Sequence, residues 1–143
     1  MQDIEAIQIL IPILPMVALV FMLFFGTIIS RVTQMKRNRV HPQQVQSRVQ
    51  MAERVRDSRA SDHLANLFEA PILFYVACVL IFLLGIQDSL SIALAWLFVT
   101  FRYIQAAIHL SVNHVLTRAT VFGLGLLTLA VLWLRIAVAL LSG

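Results

Sequence analysis

The chain has 143 residues, 60% of them hydrophobic and only 13% charged, with a net charge of +4. A soluble domain of that length is about half apolar and a quarter charged, so composition excludes a water-soluble enzyme or binding module. Cys78 is the only cysteine, which excludes an intrachain disulfide, dithiol chemistry and a zinc cluster, and no metal is expected.

The first apolar run covers about 7–29. Asp3 and Glu5 precede it without a lysine or arginine, the wrong charge for a cleaved secretion signal, so it is expected to remain as a spanning helix. Pro12 and Pro15 are expected to kink it.

A basic segment follows at about 30–63. Eight of the eleven Lys and Arg residues fall here: Arg31, Lys36, Arg37, Arg39, Arg48, Arg54, Arg56 and Arg59. A short basic loop stays on the cytoplasmic side, so the charge reads as a topology signal touching anionic headgroups, with no nucleic-acid partner. Pro42 followed by Val45, Val49, Ala52 and Val55 predicts an amphipathic helix that begins outside the bilayer and enters it unbroken.

Three more runs, at about 64–85, 91–114 and 119–142, come near the roughly twenty residues that cross about 30 Å of hydrocarbon. The turn GIQDS at 85–89 leaves no room for a domain, and Asp88 or Ser89 is placed to cap the next helix. The expected fold class is all-α, an integral membrane four-helix bundle forming a single domain. Its expected partner is the lipid bilayer, and its expected location a bacterial inner membrane with both termini opposite the basic loop.

Two spans carry polar stripes. With 3.6 residues to a turn, Gln105, His109 and Asn113 all fall within about 60° of Arg102, so one helical face holds the four. His63, Asn66 and Glu69 likewise fall within about 80° of Arg59, again one broad face. A charge at mid-membrane costs about 2.5–3.5 kcal/mol on insertion scales, so such residues face a partner, a wet cavity or a ligand. A Glu69–Arg102 ion pair is the plain reading for those two residues. It leaves Arg59, His63, Asn66, His109, Asn113 and Arg118 near the basic boundary, which points to an anionic ligand with several acceptors. His41 and His114 read as boundary residues. Arg118 lies about 180° from His109 on a continuous helix, so it either follows a break, begins the fourth helix, or meets the pocket of a neighbouring copy.

These residues resemble the membrane-associated proteins in eicosanoid and glutathione metabolism, the MAPEG family, over roughly residues 30–125. Arg102-Tyr103 followed by Gln105 is similar to the family's RYxQ segment, and Arg118 stands where the family has its thiol-activating arginine. The resemblance implies a homotrimer with glutathione as co-substrate and Arg118 stabilising its thiolate. Arg59, His63, Asn66, Glu69, Arg102 and His109 would contact the tripeptide. Two departures stand out. His109 and Phe122 replace frequent tyrosines. The R-A-x-x-N-x-x-E pattern of helix two fits in one register from Arg59-Ala60, placing His63 at the asparagine, and in another on Asn66 and Glu69 with Asp62 at the arginine.

The function expected is a glutathione-dependent transferase or peroxidase acting on lipophilic electrophiles. Two alternatives stay open: a catalytically altered member serving as a lipid-binding or assembly subunit, and a small proton-coupled exporter using Glu69.

Overall fold

A computed structural model of the protein describes residues 7–37, 59–111 and 115–142. The expected amphipathic helix around Val45–Val55 lies outside the described residues, as do His41, Asn113 and His114. Four helices form: α1 (Ile13–Arg37), α2 (Arg59–Leu84), α3 (Ser89–Ser111) and α4 (Val115–Ser142). There is no strand among the described residues, consistent with an all-α membrane protein.

The prolines of the first run act differently from expectation. Residues 7–12 form tight turns, with Leu10 N–H donating to the Ile7 carbonyl at 2.9 Å and Ile13 N–H to the Leu10 carbonyl at 3.1 Å. The α-helix starts at Ile13, which puts Pro15 in its first turn. The N–H groups there have no intrahelical acceptor, so the missing proline donor is not felt. Pro12 and Pro15 set the start of α1 instead of kinking it.

Among the described residues, three helices are long and apolar enough to cross a membrane: Ile13–Ser30, Ser89–Ile108 and Leu116–Ser142. Their large exposed side chains, Leu14, Phe21, Leu127 and Leu141 among them, would be untenable in water. The protein is an integral membrane protein. Helix α2 contributes a shorter apolar stretch, Ala70–Leu84, about 22 Å long at 1.5 Å per residue. Its first eleven residues carry Arg59, Asp62, His63, Asn66 and Glu69.

The chain divides into two units, Met1–Ala18 with Ala70–Gly143, and Leu19–Glu69. The core of the first unit comes from helical faces. On α2, Ala70, Phe74, Ala77, Cys78 and Ile81 are buried at three- and four-residue steps. On α3 the buried positions are Ser91, Ala95, Phe98, Val99, Arg102 and Gln105. On α4 they are Thr128, Leu129, Leu132 and Ile136.

Helices α3 and α4 pack directly on one another. A Cβ built at Gly125 would stand 3.4 Å from the Phe101 Cβ, ordinary van der Waals contact, so a methyl fits at this crossing and a larger side chain presses on α3. In hydrocarbon, where lipid tails compete equally for apolar surface, small residues at such crossings let backbones come near. The second unit contains most of α1 and the polar beginning of α2.

The α2–α3 turn is fixed by backbone chemistry. Gly85 adopts φ 69°, Ile86 N–H donates to the Ile81 carbonyl at 3.2 Å, and Gly85 N–H to the Phe82 carbonyl at 3.3 Å. This is the Schellman pattern, which consumes the last carbonyls of α2. Asp88 then caps α3, its Oδ1 accepting the Ser91 N–H at 2.8 Å. Arg135 of α4 closes the end, donating from Nη2 to Asp88 Oδ2 at 2.7 Å and from Nε to Ser91 Oγ at 3.2 Å.

Candidate functional site around a buried arginine

Arg102 lies on α3, thirteen residues past Ser89 and six before Ile108, hence about 20 Å from the α2–α3 turn and about 9 Å from the far end of the apolar span. Only 7% of it is exposed. Its Nη1 donates to Gln105 Oε1 at 3.1 Å, one helical turn on. Nε and Nη2 find no acceptor among the described residues. A guanidinium does not shed its proton in proteins, so this is a buried charge answered by one neutral amide.

Aromatic rings supply the rest of its surroundings. The guanidinium carbon stands over the Phe98 ring at 5.5 Å and over the Phe122 ring at 5.6 Å. Phe98 in turn stacks on Phe74 of α2, centroids 4.6 Å apart and planes 21° apart. Helices α3 and α4 thus bring rings to a single cation, and α2 backs one of them. Each ring face offers negative quadrupole density, about 0.5–2 kcal/mol per contact. That softens the cost of burial without supplying a counter-charge.

Arg118 falls in the first turn of α4, after α3 has ended at Ser111. Of the openings left by the sequence, the start of the fourth helix is therefore where it stands. Phe122 and Gly125, at four and seven residues on, are the α4 residues that meet Arg102 and Phe101. Arg118 begins that same α3-facing line. It is half-buried and makes contacts of its own. A first-turn position adds the positive end of the helix dipole to its charge.

The backbone of Arg59, His63, Asn66 and Glu69 lies in α2, and that of His109 in α3. The side chains of these five lie outside the described part of the structure. Among the candidates, the described geometry brings together Arg102 and Gln105, and adds Phe98 and Phe122. Phe98 was legible as the residue four before Arg102. Phe122 had drawn notice only for lacking a hydroxyl, and its ring on Arg102 needed the α3–α4 pairing to be seen. Among the described residues, no group of His, Cys, Asp and Glu is placed to hold a metal ion.

What this site defines is an all-α integral membrane protein with a buried cation held between its helices. Residues 12–138 match the MAPEG family, and the chain belongs to it. Comparison with curated proteins gave no match, and neither did comparison with solved structures.

Proposed function

We propose that the protein is a glutathione-dependent transferase or peroxidase acting on lipophilic electrophiles drawn from the bilayer. The observation that supports this most is the nearly buried Arg102 with two unsatisfied donors, one helix away from Arg118 on the matching face of α4. Such a site fits a multiply anionic tripeptide. In this reading Arg118 holds the sulfur as thiolate, because an adjacent cation lowers a thiol's pKa. Arg59, His63, Asn66, Glu69, Arg102 and His109 contact the rest of glutathione.

The chemistry is a displacement. The thiol proton leaves to solvent, the sulfur forms a bond to the electrophilic carbon, and the leaving group departs with its electron pair. With a lipid hydroperoxide, the thiolate attacks the terminal oxygen and the O–O bond breaks to give the alcohol. A second glutathione then converts the sulfenic acid to disulfide and water. The assembly proposed is a homotrimer in a bacterial inner membrane, with the basic loop cytoplasmic.

The test is thiolate ultraviolet absorbance and conjugation of a generic electrophile, wild type against Arg118→Ala. Thiolate signal and turnover in wild type alone support the reading, and equal negligible signals in both end it. One observation favours a second reading. Phe122 presents a ring to Arg102 and has no hydroxyl with which to orient a thiol, as suits a lipid-binding or assembly subunit. Ligand retention without turnover would favour that alternative.

A further inference from the structure

We propose that Tyr75 is the proton donor for the oxygen that departs when the protein reduces a lipid hydroperoxide. Tyr75 adds a residue to the glutathione-dependent reading above, on which this assignment rests. A thiolate attacking the terminal oxygen of a hydroperoxide expels an alkoxide, a far stronger base than a departing halide. An acid that meets this oxygen as the O–O bond breaks lowers the barrier. The chain has two tyrosines. The hydroxyl of Tyr103 already donates to the Pro15 carbonyl at 2.9 Å, and Phe122 has none to offer. Tyr75 is the phenol left for chemistry.

Helix geometry brings it toward Arg102. Tyr75 lies ten residues before Gly85 on α2, about 15 Å from the α2–α3 turn, against about 20 Å for Arg102 on α3. Side chains lean toward the N-terminus of their own helix. The short turn makes α2 and α3 antiparallel, so Tyr75 leans away from it and Arg102 toward it. The guanidinium does reach back over the Phe98 ring, at 5.5 Å. Phe98 stacks on Phe74, whose ring lies 6.1 Å from that of Tyr75. Among the described residues, the Tyr75 phenol and the Arg102 charge act on one another electrostatically.

This pairing suits an acid. A phenol, with an ordinary pKa of about 10, keeps its proton at neutral pH, and an alkoxide is basic enough to take it. The phenolate left behind is an anion near a buried cation whose Nε and Nη2 find no acceptor among the described residues. Arg102 therefore stabilises the product of the proton transfer. Access comes from the bilayer. Tyr75 is half-buried and stands at the edge of the α2 core face. Cys78, three residues on, is buried, while Ile72 and Val79, three back and four on, are exposed.

In the reaction the sulfur gains the terminal oxygen as a sulfenic acid, so sulfur is oxidised and the peroxide reduced. The alkoxide takes the Tyr75 proton and leaves as the alcohol. The phenolate regains a proton from solvent, into which the glutathione thiol released its own.

Full-length protein in detergent is assayed with glutathione and two probes, cumene hydroperoxide and chlorodinitrobenzene. The second probe loses chloride, which needs no proton. Tyr75→Phe is expected to reduce the hydroperoxide about 100-fold more slowly than wild type, the lower end of general acid catalysis. It should conjugate chlorodinitrobenzene at the wild-type rate, which also shows that the variant is folded. Tyr103→Phe should keep both rates, and a matching peroxide loss there would overturn the assignment. Equal loss with both probes in Tyr75→Phe overturns it too, because the hydroxyl would then serve packing alone. So does an unchanged hydroperoxide rate. Wild type that conjugates but reduces no hydroperoxide removes the role of Tyr75 and leaves the glutathione reading standing. Wild type inert to both probes removes that reading and the assignment with it.

Discussion

Two arginines of the α3–α4 pair are treated in opposite ways. Arg135, at the end near the α2–α3 turn, meets Asp88 at 2.7 Å and Ser91 at 3.2 Å, and about a quarter of its side chain reaches solvent. Arg102, deeper and 7% exposed, has an amide, two rings and, among the described residues, two buried donors without an acceptor. A cation kept for architecture carries its own counter-charge. A cation left short of one in a place this costly is kept for something that comes and goes.

The largest expected effect tests that contrast. The double replacement Arg102→Met with Gln105→Leu removes both members of the buried pair, so no partner is orphaned. Glutathione conjugation is expected to fall about 100-fold, while thermal stability holds or rises by about 1 kcal/mol, because a buried charge gives way to packed apolar groups. Arg135→Met should do the reverse, leaving turnover intact and lowering stability by no more than about 1 kcal/mol, since its ion pair is partly exposed. Melting curves and initial rates on the same preparations decide it. Loss of folding in the double variant and loss of turnover in Arg135→Met would invert the assignment.

Next in size is the crossing point between the two arginines. Gly125→Leu places a branched side chain where even a Cβ lies 3.4 Å from Phe101. Backbone there cannot yield cheaply, so α3 and α4 must separate at about 1–3 kcal/mol. Phe122, three residues earlier, would then leave Arg102. Reduced stability together with weakened ligand binding is the expected pair of results, and unchanged binding would show that Phe122 does not help hold the guanidinium.

Some of this was written in the sequence and some was not. The stripe containing Arg102 and Gln105 followed from helical periodicity, and the cap at Asp88 followed from turn chemistry. The turns ahead of α1 were not legible, because apolarity is blind to the absent amide of Pro12. The role of Arg135 went unnoticed: a lone cation near the end of an apolar run gives no local hint that a turn 47 residues away holds its carboxylate. The rings on Arg102 come from two helices and are backed by a third, and only tertiary structure joins them. Family membership was carried by spacing, in the Arg102 to Arg118 interval above all.

The capped end should respond in a smaller and pH-bounded way. The Ser91 backbone N–H above all, helped by Arg135, holds the Asp88 carboxyl below its ordinary range. A carboxyl with a depressed folded pKa contributes its full stability above the unfolded value, near 3.9, and loses it as pH falls through the folded one. Asp88→Ala is therefore expected to cost about 1 kcal/mol near neutrality, typical of a lost N-cap. The deficit should stay level down to about pH 5 and close in stronger acid. A deficit that changes between pH 6 and 8 would point to a histidine instead.

Tyr103 offers the finest test, because it is neighbour to Arg102 in sequence yet belongs with Arg135 in kind. Its hydroxyl donates to the Pro15 carbonyl at 2.9 Å, tying α3 to the start of α1. A carbonyl has two lone pairs, so the tyrosine can share this oxygen with a helical N–H. Removing the hydroxyl then orphans nothing buried, and Tyr103→Phe should cost only about 0.6 kcal/mol, the average for hydrogen bonds between membrane helices. Faster hydrogen exchange is expected over residues 13–18, with glutathione binding unaltered. If binding fell with the hydroxyl, Tyr103 would have to be moved from the groups that hold the helices together to those that hold the ligand.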